Sequence, residues 1–446
     1  MSEVEQRVRA RLTEKVAEAV SSTIPNGTPR LVHGTVQLSG KATAVIGMRR
    51  AGKTTYLHQL RRDQLASGAP REAVPYVNFE DEQLAGMEAQ HLGFLLDAYG
   101  RALPPLRGAH SVSWYLDEIQ VVPGWEAFVR RVLDSDNVRV VISGSSARLL
   151  SREIATSMRG RAWEVRIYPF GFGEALTFAG TPVPPDPSFL TSAERATLEH
   201  ALVTYLGRGG FPEAQPLAPR DQLRLMQDYV DVAILRDVVE RHQVTNVTAL
   251  RSMVRHLLGN AGSSFSVEKF HASMKSQGIP ASRDTVHELL GHLDDCFLVR
   301  PVWLDDDSER RRMVNPRKVY PIDPGLTLPY ARFGKTNVGH ALETIVLIEL
   351  ERRHAEVGYV KTKDGFEVDF IARYPSGDVE LVQVCADVTD AASRTREIRA
   401  LVAAADRYPG AQRRLLTLYR EVVPDVPAGI EVMPAYEWLL SAAGAR

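Results

Sequence analysis

The chain has 446 residues, enough for about three domains with cores of their own. A hydrophobic fraction of 44% and a charged fraction of 24% are typical of a globular protein, and a formal net charge of -1 excludes a chain that is basic throughout. Only two cysteines occur, Cys296 and Cys385, which excludes a disulfide framework and favours the reducing cytoplasm. We find neither a signal-peptide core nor an apolar run of membrane-spanning length, so we expect a cytoplasmic protein without a membrane partner.

The first 170 residues predict a helix followed by a parallel α/β core. Charged, helix-prone residues at 4–20 form the predicted helix, and a loop follows. Short apolar runs then alternate with helical segments, which is typical of a parallel sheet with helices on both faces. The predicted strands are 43–46, 74–79, 112–116 and 138–142, and the helices between them are 56–65, 92–103 and 125–133.

A glycine-rich loop, residues 47–54, lies between the first strand and the first of these helices. Its G-x-x-x-x-G-K-T spacing is that of a phosphate-binding loop, in which backbone N–H groups and a helix N-terminus face the phosphates. Lys53 can reach the outer phosphates, and the Thr54 hydroxyl can bind Mg2+. The predicted ATP-binding residues are Gly47, Arg50, Ala51, Gly52, Lys53, Thr54 and Thr55.

Two carboxylates, Asp117 and Glu118, follow the predicted strand 112–116. Asp117 would hold Mg2+ through its water shell, and Glu118 would polarise the attacking water, so the pair predicts hydrolysis and not binding alone. The alternative is an exposed acidic strand end. The next strand ends at Ser143, whose hydroxyl could contact the γ-phosphate and the attacking water, and a plain Gly/Ser turn is the alternative there.

Several arginines follow this strand. Ring-forming ATPases place an arginine from this region against the γ-phosphate of a neighbouring subunit, where its planar fork stabilises transition-state charge. Arg161 is the preferred candidate for this role and Arg159 is the second. Surface salt bridging is the alternative for both.

Beyond residue 170 the chain predicts helices to about 244 and then two further segments. The first predicts a winged helix-turn-helix, with Ser266 and Ser282 as helix N-caps. Its predicted elements are helices at 247–259, 266–277 and 282–295, strands at 297–304 and 319–322, and a charged hairpin at 305–312. The second predicts a small α/β domain, with helices at 337–353 and 391–406 and strands near 357–361, 366–372, 379–385 and 415–419.

The combination of motifs resembles bacterial and archaeal AAA+ ATPases that carry a C-terminal restriction-endonuclease-like domain of unknown function. The matching segments are 47–55, 76–81, 115–120, 142–147, 160–161, 168–170, 209–213, 367–370 and 382–385. The resemblance implies an α/β fold with a P-loop AAA+ core, a helical lid, a winged helix and a restriction-endonuclease-like α/β domain. The implied boundaries are 1–35 for an N-terminal helix and loop, 36–170 for the core, 171–244 for the lid, 245–330 for the winged helix and 331–446 for the last domain. It also implies that Arg208 is a lid arginine that senses nucleotide.

The last domain is similar to PD-(D/E)XK nucleases, in which a helix glutamate, a strand aspartate and a Glu-x-Lys on the next strand form a magnesium site. The candidate remnants of that site are Glu343, Glu367, Asp369 and Gln383. The glutamine keeps an oxygen ligand, but Cys385 stands where the lysine is expected and cannot supply an ammonium. We therefore expect a degenerate domain that binds Mg2+ poorly and does not cut DNA, unless a lysine such as Lys361 or Lys363 takes that role.

Together these features predict an oligomeric ATPase, a hexameric ring by the resemblance, that uses ATP and Mg2+ and acts on DNA. Basic residues at 310–312 and at Arg317 and Lys318 could contact DNA phosphates. A solvated hairpin tip balanced by the acidic residues 305–307 is the alternative. Two other functions remain open: a nucleotide switch that binds protein partners, and an ATP-dependent nuclease.

Overall fold

The computed structural model describes residues 3–34, 38–106, 112–135, 138–144, 158, 160–331 and 337–441. The chain forms two compact units, Met1–Ile167 and Tyr168–Arg446. The first unit includes the segment 1–35, and residues 168–170 belong to the second unit. Among the described residues, no helix combines the length and apolar character needed to cross a membrane.

The first unit is built on a five-stranded parallel sheet in the order β2-β3-β4-β1-β5. Its strands are β1 (Ala42–Ile46), β2 (Tyr76–Asn78), β3 (Val112–Asp117), β4 (Val138–Gly144) and β5 (Ala162–Arg166). Its helices are α1 (Glu3–Ser21), α2 (Lys53–Ala66), α3 (Leu92–Ala102) and α4 (Trp125–Ser135). The predicted parallel α/β core is confirmed. Strand β5 was not predicted, because only Val165 within it is buried and no apolar run marks it.

Sheet order brings the ends of three strands to one place. Ile46 at the end of β1 pairs with Gly144 of β4, and Leu116 near the end of β3 pairs with Ile142 of β4. Because all of these strands are parallel, the residues that follow them meet at one edge of the sheet. Strand β4 separates the two motif-bearing strands β1 and β3, whereas β2 lies at the border of the sheet.

Helix α1 packs on the rest of the first unit through a stripe of apolar residues that recur about every four positions. Val8, Leu12 and Val16 on this stripe are buried. On the same helix, Arg11 and Lys15 pair with one carboxylate oxygen of Asp81, at 2.7 and 2.8 Å. This packing explains why the N-terminal helix is part of the ATPase-like core.

The second unit contains an eight-stranded mixed sheet in the order β13-β12-β11-β10-β9-β7-β8-β6. Its strands are β6 (Ser264–Phe265), β7 (Val299–Leu304), β8 (Arg317–Pro321), β9 (Glu356–Lys361), β10 (Glu367–Arg373), β11 (Val379–Cys385), β12 (Gln412–Thr417) and β13 (Ile430–Pro434). Its α-helices are α5 (Phe172–Phe178), α6 (Ser192–Arg208), α7 (Pro219–Val232), α8 (Val247–Gly259), α9 (Val267–Ser276), α10 (Arg283–Asp295), α11 (Glu309–Val314), α12 (Val338–Arg352), α13 (Ala391–Ala405) and α14 (Ala435–Leu440), and a π-helical stretch, Ala233–Glu240, continues α7.

The predicted boundary at residue 330 does not separate two sheets. Strands β7 and β8, which precede it, join β9 to β13, which follow it, because β7 pairs in parallel with β9 through Trp303–Gly358 and Leu304–Tyr359. A hydrogen-bonded pairing between segments so far apart leaves no local signal in the sequence. The segment predicted as a charged hairpin also differs, since residues 309–314 form the short helix α11 with Ser308 as its N-cap.

Apolar clusters cover both faces of this sheet. One contains Leu342 of α12, Phe370 of β10 and Trp438 of α14, and the other contains Leu381 of β11 and Leu401 of α13. The register of β10 against β9 shifts between Val368 and Ile371. Such a bulge re-aims side chains locally, and Asp369 lies within it.

Candidate functional site

The loop between β1 and α2 has the backbone conformation that its glycines allow. The φ angles are 151° at Gly47, 63° at Arg50 and 101° at Gly52, all in the region that side chains rarely adopt. A Cβ atom on Gly47 would lie 2.1 Å from the carbonyl oxygen of Ile167. A side chain at Gly47 is therefore excluded by steric overlap with Ile167 as well as by the backbone conformation.

Lys53 begins α2 and is almost fully buried. Its ammonium donates hydrogen bonds to the carbonyl oxygens of Gly47 at 3.1 Å and Met48 at 3.2 Å, and lies 3.9 Å from Oε1 of Glu118. The loop carbonyls thus hold the ammonium beside the helix N-terminus, where positive charge and N–H groups favour a phosphate.

The carboxylate of Asp117 is fully buried and accepts hydrogen bonds from three hydroxyl groups. Thr54 Oγ1 and Tyr76 OH donate to its Oδ2 atom at 2.8 and 2.7 Å, and Ser143 Oγ donates to its Oδ1 atom. The structure thus brings together Thr54, Asp117 and Ser143, as the sequence predicted. Tyr76 was not predicted, because a tyrosine in a half-buried strand carries no sign of what its hydroxyl contacts.

Glu118 follows β3 in a left-handed conformation, with φ 53°. Its backbone N–H donates to Ser143 Oγ at 3.0 Å, and the amide of Gln120 donates to its Oε2 atom. Burial raises the pKa of Glu118, and the nearby Lys53 ammonium opposes that shift. A carboxylate with a raised pKa is a better proton acceptor near neutral pH, which suits a base toward water.

Two further loop residues, Ala51 and Thr55, contact the segment that contains Gly27 and Arg30. Ala51 is buried, and its carbonyl oxygen accepts a hydrogen bond from the buried guanidinium of Arg30 at 2.6 Å. Thr55 lies in the first turn of α2, where its methyl group is so close to Gly27 that a Cβ there would be 2.5 Å away. Arg30 was not predicted either, since it lies in a loop with no motif around it.

These groups fit a nucleotide with Mg2+. Loop N–H groups and Lys53 would hold the phosphates, and Thr54 with Asp117 would hold the ion. Mg2+ commonly binds one or two carboxylates together with phosphate oxygens. Within the described part of the chain, no three His, Cys, Asp or Glu side chains are grouped to hold a metal by themselves.

Of the predicted arginines, Arg161 does not join this site within the first unit. Arg161 directly precedes β5, at the opposite edge of the sheet from the phosphate-binding loop, and pairs with Asp134 of α4. Arg159 lies outside the described residues. Arg208 ends α6 in the second unit, and its guanidinium donates to the carbonyl oxygens of Ala214 and Gln215.

A second polar cluster lies in the second unit, around Asp369. The ammonium of Lys318 on β8 is almost fully buried and lies 2.8 Å from Glu367 Oε1 and 2.9 Å from Asp369 Oδ1. The sequence predicted that Cys385 supplies no ammonium here and left open that a lysine from another strand or helix, such as Lys361 or Lys363, does so. Lys361 and Lys363 are exposed, and the lysine from another strand that reaches this position is Lys318. Because Lys318 is buried in this cluster, its expected contact with DNA is wrong.

Gln383 and Glu343 complete this cluster in a way that the sequence did not predict. The Gln383 amide nitrogen donates to Asp369 Oδ2 at 2.8 Å and Glu397 Oε2 at 2.5 Å, while its oxygen accepts the Asp369 N–H at 3.2 Å. Its oxygen is therefore turned to the backbone and not outward as a metal ligand. Glu343 Oε2 accepts a hydrogen bond from Tyr320 OH at 2.9 Å, and burial raises the pKa of Glu343 to about 8.

Comparison with known proteins agrees with the geometry of the first unit. Residues 39–176 match a family model described as an AAA domain, and residues 199–336 match a domain of unknown function, DUF8612. The first match spans β1 to β5 and the phosphate-binding loop. A P-loop, two carboxylates after β3 and the parallel sheet order together identify this part as an AAA-type ATPase domain.

Two solved structures show looser similarity. The Walker-type ATPase PABY2304 of Pyrococcus abyssi is 14% identical, with a TM-score of 0.35 over 72% of this chain and 95% of that one. The Aeropyrum pernix ORC1 protein, solved in complex with DNA, is 17% identical, with a TM-score of 0.28 over 73% of this chain and 91% of that one.

Two relatives match along most of their length. An uncharacterized protein of Haemophilus influenzae is 29% identical over 399 residues, which are 89% of this chain and 93% of the relative. The uncharacterized protein MJ1544 of Methanocaldococcus jannaschii is 31% identical over 416 residues, which are 91% of this chain and 89% of the relative. The chain therefore belongs to the same family as MJ1544, and its AAA-type ATPase domain lies at residues 39–176.

Proposed function

We propose that this protein hydrolyses ATP with Mg2+ and that it does so as an oligomeric ring acting on DNA. One observation carries the first part: Lys53, Thr54, Asp117, Glu118 and Ser143 come from one helix and the ends of two strands and converge at one edge of a parallel sheet. Phosphate binding, metal binding and water activation need these groups within contact of one another.

In this mechanism each group has one task. The loop N–H groups and Lys53 bind the phosphates, while Thr54 and Asp117 hold the ion that neutralises phosphate charge. Glu118, with its raised pKa, accepts the proton of the attacking water. Ser143 bridges Asp117 and the backbone of Glu118, so the metal-binding and water-activating groups are held in fixed relation.

Glu118→Gln keeps the shape of the side chain and removes its ability to take a proton. We expect ATP binding to persist and turnover to fall by at least about 100-fold. Lys53→Ala, in contrast, should weaken binding, because the phosphates lose a point charge. Nucleotide binding by fluorescence titration and phosphate release measure the two effects. Hydrolysis by Glu118→Gln at the parent rate would show that Glu118 is not the base.

Tyr76→Phe tests whether the hydroxyl of Tyr76 positions Asp117 for the ion. Loss of a hydrogen bond behind a metal-binding carboxylate typically weakens metal binding about 10- to 100-fold. We expect the Mg2+ concentration for half-maximal ATPase rate to rise by about that factor, with ATP affinity in EDTA unchanged. Tyr99→Phe is the matched control, since its hydroxyl bonds the Glu72 carbonyl at 2.7 Å. Equal Mg2+ dependence in the two variants would refute the role.

The proposed ring is supported by the position of Arg161 on the far edge of the sheet from its own loop. An arginine there can act only on a neighbouring subunit's phosphates. Arg161→Ala should therefore impair hydrolysis more than ATP binding, and mixtures with Lys53→Ala should regain part of the activity, because some interfaces pair an intact loop with an intact arginine. Light scattering with ATP sizes the assembly. A monomer at all concentrations, or no regain of activity, would contradict the ring.

DNA as the partner is supported by α8, α9 and α10 followed by β7 and β8, the order of a winged helix. Helix α11 between those strands exposes Arg310 and Arg311 together with Met313 and Val314. Nearby Asp306 and Glu309 offset part of this charge, at 3.6 Å from Arg311 and 3.4 Å from Arg312. A basic and apolar tip is suited to a phosphate backbone and the adjacent groove.

The DNA proposal predicts ATPase stimulation and salt-dependent binding. We expect single-stranded, duplex or branched DNA to raise the ATPase rate, and R310E/R311E to weaken DNA binding uniformly across sequences with a shallower salt dependence. The control R224E/R236E changes two arginines on α7 and its π-helical continuation. DNA binding that does not change with salt concentration, or that both double variants lose to the same extent, would favour a protein partner instead.

A further inference from the structure

The cluster around Asp369 contains a positive charge where the nuclease-like pattern places a metal ion. Lys318 Nζ contacts one oxygen of Glu367 and one of Asp369, at 2.8 and 2.9 Å. Asp369 is the strand aspartate of that pattern, and Glu367 is a further candidate ligand two residues before it on β10. The ammonium thus contacts two of the four candidate ligands.

Both oxygens of Asp369 accept hydrogen bonds. Its Oδ1 atom accepts from Lys318, and its Oδ2 atom accepts from the Gln383 amide at 2.8 Å and the Val384 N–H at 3.0 Å. A carboxylate has about four lone-pair sites, and here three are used by donors from three different residues. A metal ion at the position of the ammonium would have to displace Lys318 from Oδ1.

The other two candidate ligands, Gln383 and Glu343, also accept hydrogen bonds within the domain. The single amide oxygen of Gln383 accepts the Asp369 N–H at 3.2 Å, and Glu343 accepts from Tyr320 OH at 2.9 Å. Accordingly, the described residues contain no group of three His, Cys, Asp or Glu placed to hold a metal. In this arrangement the candidate ligand oxygens are occupied by protein donors, which does not suit the binding of a divalent cation.

We propose that the Lys318 ammonium is the resident cation of this cluster and replaces the divalent metal of a nuclease site. In this arrangement the domain balances its buried carboxylates without a metal and does not cleave phosphodiesters. The domain is therefore still expected not to cleave DNA, but for a different reason. The sequence attributed the loss of cleavage to a missing ammonium, whereas in this proposal an ammonium occupies the metal position.

The ammonium also has a structural task. In the sheet, β8 and β10 are separated by β7 and β9, so the contact of Lys318 with Asp369 joins two strands that are not neighbours. Tyr320, two residues further along β8, contacts Glu343 of α12 and the ring of Phe370. These contacts connect the segment before residue 330 to the segment after it, so the two segments pack together as parts of the second unit.

The first test uses the wild-type full-length chain, with Mn2+ as the probe and no nucleotide. Electron paramagnetic resonance should detect no Mn2+ whose binding depends on Asp369, so the wild type and Asp369→Asn should give the same titration. Neither protein should cut labelled single-stranded, duplex or four-way-junction DNA with Mg2+ or Mn2+. Mn2+ binding or DNA cleavage that Asp369→Asn abolishes would overturn the proposal and make Lys318 part of a working nuclease site.

The second test removes the ammonium. Lys318→Met keeps the length of the side chain and should create Mn2+ binding that is absent from K318M/D369N. Mn2+ should also raise the melting temperature of Lys318→Met while leaving that of the wild type unchanged. Lys361→Met, the same change at an exposed site on β9, is the matched control. If Lys318→Met folds and gains no Mn2+ binding, the proposal that Lys318 replaces a divalent metal is wrong. If Lys318→Met does not fold, the comparison of the wild type with Asp369→Asn tests the proposal.

Discussion

The nucleotide site depends on the parallel order of β1, β4 and β3. Parallel strands place their carboxyl ends on one edge of a sheet, so residues up to 96 positions apart in sequence, from Gly47 to Ser143, meet there. The buried carboxylate of Asp117 is the point where they join, because Thr54, Tyr76 and Ser143 all donate hydroxyl groups to it. Burying a carboxylate is costly without such donors, so their placement is a condition of the fold as well as of binding.

The chain holds two buried aspartates by two different means. Asp117 accepts from three neutral hydroxyl groups, which supply hydrogen bonds but no positive charge. Asp369 accepts from the ammonium of Lys318 and from two N–H groups, so it has a cationic partner as well as hydrogen bonds. In the proposed function the first unit binds Mg2+ together with a phosphate, whereas Asp369 is paired with a lysine of its own unit.

The motifs that could be found in the sequence consist of neighbouring residues. The loop at 47–54 is recognised by its own residue spacing, and Asp117 and Glu118 stand at the end of a predicted strand. Both motifs could therefore be located before the structure was known. The helices at 266–277 and 282–295 were likewise predicted, because Ser266 and Ser282 mark their N-caps and apolar residues mark their buried faces. In these cases the physical cause acts over a few neighbouring residues.

The amino-acid sequence by itself determined the phosphate-binding loop, the acidic strand end and most helices and strands, since hydrogen bonds within a helix, caps and apolar periodicity are local. Only the tertiary structure decided that Tyr76 holds Asp117, that β7 pairs with β9 and that Lys318 reaches Asp369. A lysine side chain can satisfy a carboxylate from any strand that packs near it, and no spacing in the sequence records which strand that is. The pairing of β7 with β9 brings Lys318 within reach, and long-range backbone hydrogen bonds of this kind form only when the whole sheet folds.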